Sequence, residues 1–214
     1  YVIYPGLFTN KDPQNAEKAL DFINRNPEYK KGDSYYYIAY SFERKGDFLK
    51  AKENYEKSMS MENADVNAYH TYLFYINFLS KSGDYLKAEE YMQKVERLSQ
   101  TSSETFRDAY KAELMSARVI YYLNIGDYES YVDASLKNYE YSGALWKKNN
   151  PTLCDPYPAY PLMASGFGKE MMKDYAAAEK LYKSRDSANY VWVNCYNKTY
   201  PNSKYPPISI YPIL

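Results

Sequence analysis

Histidine is almost missing from this sequence: His70 is the only one in 214 residues. Cysteine is scarce as well, with Cys154 and Cys195 alone. A zinc site takes about four ligands at short spacings, and these three scattered residues do not compose one. The same three offer no nucleophile–base pair that the sequence brings together. No metal, cofactor or catalytic residue is therefore expected, and the chain reads as a binding protein and not as an enzyme. Net charge is lacking too: 27 basic residues balance 27 acidic ones. No Lys/Arg cluster interleaved with aromatics lies along one helix face, so nucleic acid is not an expected partner. No apolar run approaches the roughly 18 residues of a membrane span.

Glycine is rare, eight in all, yet Gly166-Phe167-Gly168-Lys169 invites comparison with a phosphate loop. That loop needs a glycine at wider spacing upstream and a hydroxyl after the lysine to hold magnesium. Met163 and Glu170 occupy those places, so the match fails. Glu89-Glu90 are adjacent, point to different azimuths of a helix, and read as a solvated face. Phenylalanine is sparse, 8 residues against 29 tyrosines. Tyrosine brings apolar area and a hydroxyl to one position, which suits half-buried helix packing and adhesive surfaces alike.

Two thiols suffice for one disulfide in an exported protein, which makes Cys154–Cys195 a candidate pair. The sequence starts at Tyr1, and an exported, periplasmic or cell-surface protein that has lost its leader fits this better than a cytosolic one. Asn197-Lys198-Thr199 matches a glycosylation acceptor, which matters only in a eukaryotic secretory setting.

What the sequence does contain is a recurring corner. It reads Lys45-Gly46-Asp47-Phe48, then Ser82-Gly83-Asp84-Tyr85, then Ile125-Gly126-Asp127-Tyr128, with a degenerate copy at Lys173-Asp174-Tyr175. Glycine lets a helix end through a left-handed conformation. Aspartate can cap the next helix by accepting its unpaired amides. The aromatic that follows is expected to pack into the corner.

Residues 1–11 carry Pro5 and Gly6 without helical period and read as an extended lead-in. A helix follows Asp12-Pro13, with Ala16, Ala19, Leu20 and Ile23 on one face, and ends at Asn26-Pro27. The clearest pair runs from Gly32 to about Met61. Tyr35, Ile38, Ala39 and Phe42 form one face; Phe48, Ala51 and Tyr55 form the matching one. So short a turn makes the two helices antiparallel neighbours. The second pair repeats these offsets with Tyr72, Tyr75, Ile76 and Leu79, then Tyr85, Ala88 and Met92. The third opens with the capping-box pattern Thr101-Ser102-Ser103-Glu104. Met115, Val119 and Tyr122 keep its pattern, Arg118 breaks it, and Tyr131 stands where Ala51 and Ala88 stood. Prolines 151, 156, 158 and 161 forbid a helix through that loop. A weaker fourth pair follows, with Gly166 and Gly168 in its first helix and Tyr175, Ala178 and Tyr182 on its second. From residue 186 to 214 the sequence changes in kind. Tyr190-Val191-Trp192-Val193 reads as a short strand, and the proline-stiffened remainder as an extended tail packing on the repeats or a neighbour.

The three good units resemble tetratricopeptide repeats, helix pairs with a period of about 34 residues and a small–large packing code. The corner spacings here are 37, 43 and 47 residues, so insertions lie between repeats. The resemblance covers residues 12–185. It implies an all-α fold, a right-handed superhelical stack of helix–turn–helix repeats with an irregular Pro/Tyr-rich C-terminal tail. It also implies a concave face that receives a protein or peptide segment. By the offsets of this sequence that face would carry Tyr36, Tyr40 and Arg44, then His70, Leu73 and Asn77, then Ser116 and Ile120. Two other functions remain open at this level: a sensor or regulatory module of a larger signalling or transcription-regulating protein, and a surface-exposed carbohydrate-binding protein, since tyrosine also stacks on sugar rings.

Overall fold

A computed structural model describes residues 15–61, 68–149 and 159–199. These residues are all-helical, with no strand among them. The elements are α1 (Asn15–Arg25), a single 3-10 turn (Pro27–Tyr29), α2 (Gly32–Lys45), α3 (Phe48–Met61), α4 (Ala68–Ser82), α5 (Tyr85–Thr101), α6 (Glu104–Ile125), α7 (Tyr128–Asn149), α8 (Ala159–Met171) and α9 (Tyr175–Thr199). The chain forms two compact units, Tyr1–Glu113 and Leu114–Leu214, the division falling within α6. The 1–11 lead-in, the loop prolines 151, 156 and 158, and everything after Thr199 lie outside the described residues.

The corners recur bond for bond. Gly46, Gly83, Gly126 and Lys173 have φ of +82°, +82°, +77° and +63°. Each of these residues donates its N–H three residues back, to Glu43, Ser80, Leu123 and Glu170. The aspartate that follows donates five residues back, to Phe42, Leu79, Tyr122 and Lys169. Its own carbonyl then accepts from Ala51, Ala88, Tyr131 and Ala178, starting the next helix. The left-handed residue frees no carbonyl without supplying a donor, which is why the turn can be so short. Three aspartates also cap: Asp47, Asp127 and Asp174 accept from the amides of Lys50 at 3.2 Å, Ser130 at 3.1 Å and Ala177 at 3.2 Å. Asp84 makes no side-chain cap. Its carboxylate is taken instead by Lys52 on α3, at 3.2 Å.

In the first unit neighbouring helices pack in chain order from α1 to α5, and α2 also meets α4. The buried faces are those that the periodicity predicts: Ala16, Ala19 and Ile23; Tyr35, Ile38, Ala39 and Phe42; Ala51 and Tyr55; Tyr72, Tyr75, Ile76 and Leu79; Ala88 and Met92. At three corners the aromatic after the aspartate is exposed and does not fill the corner as expected; Tyr128 at the third corner is half-buried. Phe48 is 53 % exposed and Tyr175 64 %. A residue opening a helix faces outward, and Phe48 only leans on Phe78 of α4, centroids 6.1 Å apart.

In the second unit α8 packs on α7 and α9. Here glycine is used for close approach. A methyl group at Gly168 would sit 2.6 Å from Val132 and 2.8 Å from the Tyr131 ring, and one at Gly166 would strike the Tyr182 ring. Tyr131 is large where Ala51 and Ala88 are small, and the helix it meets carries Gly168 at the contact. Tyr131, Val132 and Ala164 form a cluster with Val119, Tyr122, Leu136 and Met172. Along α6 the most buried residues are Tyr110, Leu114, Ala117 and Tyr121, a stripe one position removed from the expected Met115, Val119 and Tyr122.

Two expectations are corrected. Residues 190–193 are not a strand, because α9 runs unbroken through Thr199; the stretch 186–199 is helical and not an extended tail. Helix α8 starts at Ala159, so Pro161 falls in its first turn, where a missing N–H costs nothing.

Candidate functional site

On α2, Tyr36, Tyr40 and Arg44 recur every fourth residue and so share one face. Helix α4 brings Phe74 onto that face. The Phe74 ring meets Tyr36 edge-on at 5.0 Å and Tyr40 edge-on at 5.6 Å. Tyr37 leans on Tyr36 at 4.8 Å, and the Arg44 guanidinium lies 6.0 Å from the centre of the Tyr40 ring. Aromatic pairs in this geometry gain about 0.5–1.5 kcal/mol beyond area burial. The cluster is not fully covered: Tyr36 and Phe74 are half-buried, and Tyr37 and Tyr40 are exposed.

Two carboxylates act on Tyr36. Burial pushes its phenol well above the ordinary tyrosine value, with Tyr37, Tyr40, Glu113 and Glu43 adding to the rise. Glu43 accepts the Tyr55 hydroxyl at 2.8 Å and pairs with Lys81 at 3.0 Å. Glu113, half-buried on α6, has its carboxyl pushed up to about 7 by burial. It is poised between neutral and charged at neutral pH.

Of the eight residues expected at a binding face, the structure gathers Tyr36, Tyr40 and Arg44 in one cluster. Leu73 and Asn77 lie half-buried on α4 in the same unit. The Asn77 Oδ1 is buried and accepts no hydrogen bond. His70 lies on α4, with its side chain outside the described residues. Ser116 and Ile120 belong to the second unit, where Ser116 accepts from Asn138 of α7 at 3.5 Å. Phe74 and Glu113 were not expected. Phe74 lies one residue past the position equivalent to Tyr36, and Glu113 flanks the buried stripe of α6, three after Tyr110 and one before Leu114. A carboxylate at the edge of an apolar stripe was the available signal.

Among the described residues no group of three or more His, Cys, Asp or Glu is placed to hold a metal ion. No helix among them is long and apolar enough to cross a membrane. The half-buried Cys195 lies on α9 and its sulfur is in a disulfide; Cys154 lies outside the described residues. No protein-family model matches the chain, and no curated protein matches it. Rings and a guanidinium on one face offer contact area and hydrogen bonds to another molecule.

Proposed function

We propose that the chain is a binding scaffold of the tetratricopeptide-repeat type, its helix pairs stacked in a right-handed superhelix and its first-helix faces receiving a protein or peptide segment. The four equivalent corners, with their shared hydrogen bonds, support the repeat reading. The observation that carries the binding reading is the cluster of Tyr36, Tyr40 and Phe74. It is ordered by its own ring contacts and still partly open. Aromatic anchors of low rotamer entropy with an arginine at the rim are the composition of binding hot spots.

The test is affinity capture with the intact chain beside its Tyr40→Ala and Phe74→Ala variants, followed by mass spectrometry. A protein partner retained by the parent chain and lost from both variants supports the reading. Partners retained equally by all three chains, or glycans bound in place of protein, overturn it.

A further inference from the structure

We propose that the exposed stripe Met163, Phe167 and Met171 of α8 is a docking surface for an uncharged apolar segment, and that its occupant is residues 206–214 of this same chain. The inference concerns the second unit and goes beyond the reading of the Tyr36 surface.

The three residues stand ten, six and two positions before Lys173. Those are the offsets of Tyr36, Tyr40 and Arg44 before Gly46, so the stripe is the fourth corner's version of the same first-helix face. A spacing of four keeps the three on one side of α8, and they are 41, 41 and 44 % exposed. The other sides of α8 are taken. Gly168 lies against Val132 and Tyr131 of α7, and Gly166 against Tyr182 of α9. The stripe also lacks charge. The charged side chains of α8 are Lys169 and Glu170; Lys169 lies 3.9 Å from Asp174, and Glu170 accepts the Tyr182 hydroxyl at 2.9 Å. A charged occupant would lose hydration on the stripe and find no counterpart. An apolar one takes three side chains out of water, and a methionine on either side of the ring adapts to its shape.

Beyond Thr199, outside the described residues, the sequence supplies such a segment. Residues 206–214 read PPISIYPIL, with Ile208, Ile210, Tyr211, Ile213 and Leu214 and no charge. Prolines 206, 207 and 212 restrict the backbone, which lowers the entropy lost on docking. The reach suffices. The short corner at Lys173 turns α9 back along α8, which puts Thr199 about 20–25 Å past the level of Met163 at 1.5 Å per residue. Ile208 is nine residues beyond Thr199, and that length of extended chain spans about 30 Å. The stripe is about 12 Å long, the length of about four extended residues. Tethering gives the segment an effective concentration that a free peptide lacks. Tyr190 and Val191 of α9 are more exposed, at 68 and 66 %, but they are adjacent, point to different azimuths and form no line.

The test is photo-cross-linking in the intact chain. Phe167→p-benzoyl-phenylalanine is irradiated and digested with trypsin, and the cross-linked peptides are read by mass spectrometry. Met171→p-benzoyl-phenylalanine is a second position, which keeps the test open if the first variant fails to fold. Each is repeated with Ile210→Ser and Ile213→Ser together, which keep the length and the tether and remove the apolar anchors. The expected result is a cross-link within one chain to the tryptic peptide that starts at Tyr205, its yield lowered at least fivefold by the two serines. A yield that the serines leave unchanged makes the contact one of tethered proximity and overturns the proposal. Cross-links between two copies, to another part of the chain, or to no peptide at all overturn it as well. None of these outcomes bears on the Tyr36 surface, which the affinity capture with Tyr40→Ala and Phe74→Ala tests separately.

Discussion

Tyr55 and Glu43 are twelve residues apart and joined across a corner, the phenol donating to Oε2 at 2.8 Å. Tyr182 and Glu170 repeat the pair at the same separation, at 2.9 Å. In both, the glutamate stands three residues before the left-handed residue and the tyrosine nine after. At the other two corners both members change together, to Ser80 with Met92 and to Leu123 with Ser135. Ser80 turns to the Ile76 carbonyl of its own helix at 2.8 Å. Ser135, whose counterpart Leu123 offers no acceptor, has a buried hydroxyl with no hydrogen-bond partner. A hydrogen bond to a carboxylate contributes about 1.5–3 kcal/mol, and the Tyr55 ring is fully buried. Tyr55→Phe is expected to cost about 1–2 kcal/mol, and Tyr55→Ala about 3–5 kcal/mol through its cavity. Tyr182→Phe, at a more exposed pair, is expected to cost less than Tyr55→Phe. Urea unfolding of each variant checks the order.

The corners predict opposite signs for two glycine exchanges. Nothing lies within 4 Å of a methyl group placed at Gly126, so Gly126→Ala meets only backbone strain at φ +77°, about 1 kcal/mol or more. Lys173 already bears that strain at φ +63°, and Lys173→Gly is expected to stabilise by about 0.5–1 kcal/mol. Thermal melting that moves down for the first and up for the second bears this out. Movement in one direction for both contradicts it.

Gly168 predicts the reverse of helix propensity. An exposed helical Gly→Ala exchange stabilises by about 1 kcal/mol. Here the methyl group would lie 2.6 Å from Val132 and 2.8 Å from Tyr131, and overpacking costs about 1–3 kcal/mol. Gly168→Ala is expected to lower stability, while Gly143→Ala, with open space around it, raises it. Chemical denaturation of both variants reads the signs.

Much of this was legible in advance, and the misses have physical reasons. Gly46, Gly83 and Gly126 announced the corners because few other residues accept their backbone angles. Tyr190–Val193 favoured a strand by local propensity, but the helical run begun at Tyr175 continues through it and buries Val193. The capping role of Asp84 was chemically sound, yet Lys52 competes for the carboxylate from a neighbouring helix, which no local pattern shows. Of the candidate site, the spacing of Tyr36, Tyr40 and Arg44 put them on one face, and the resemblance to tetratricopeptide repeats implied that face for binding. Phe74 did not, because the facing residue of α4 is set by how two helices rotate against each other.

Glu113 makes stability depend on pH. Burial pushes its carboxyl up from the ordinary 4.5 to about 7 in the fold. The folded state therefore holds a proton that the unfolded state has released between those values, and stability falls as pH rises from about 4.5 through 7. Glu113→Gln removes that dependence. The variant is expected to gain on the parent chain by about 1–2 kcal/mol at pH 8, since partial exposure screens the carboxylate. The gain should vanish near pH 4. Melting curves of both proteins across that range check it; a constant difference contradicts the assignment to burial.

The proposed binding surface is tested most directly by one comparison: partner or peptide affinity against melting temperature for Tyr40→Ala. Tyr40 is 36 % exposed and its loss removes contact area at the rim of the cluster. The prediction is a binding loss of at least tenfold, about 1.4 kcal/mol, with the melting temperature lowered by no more than about 2–4 °C. A protein that melts far lower while binding unchanged would make Tyr40 a packing residue and contradict the account.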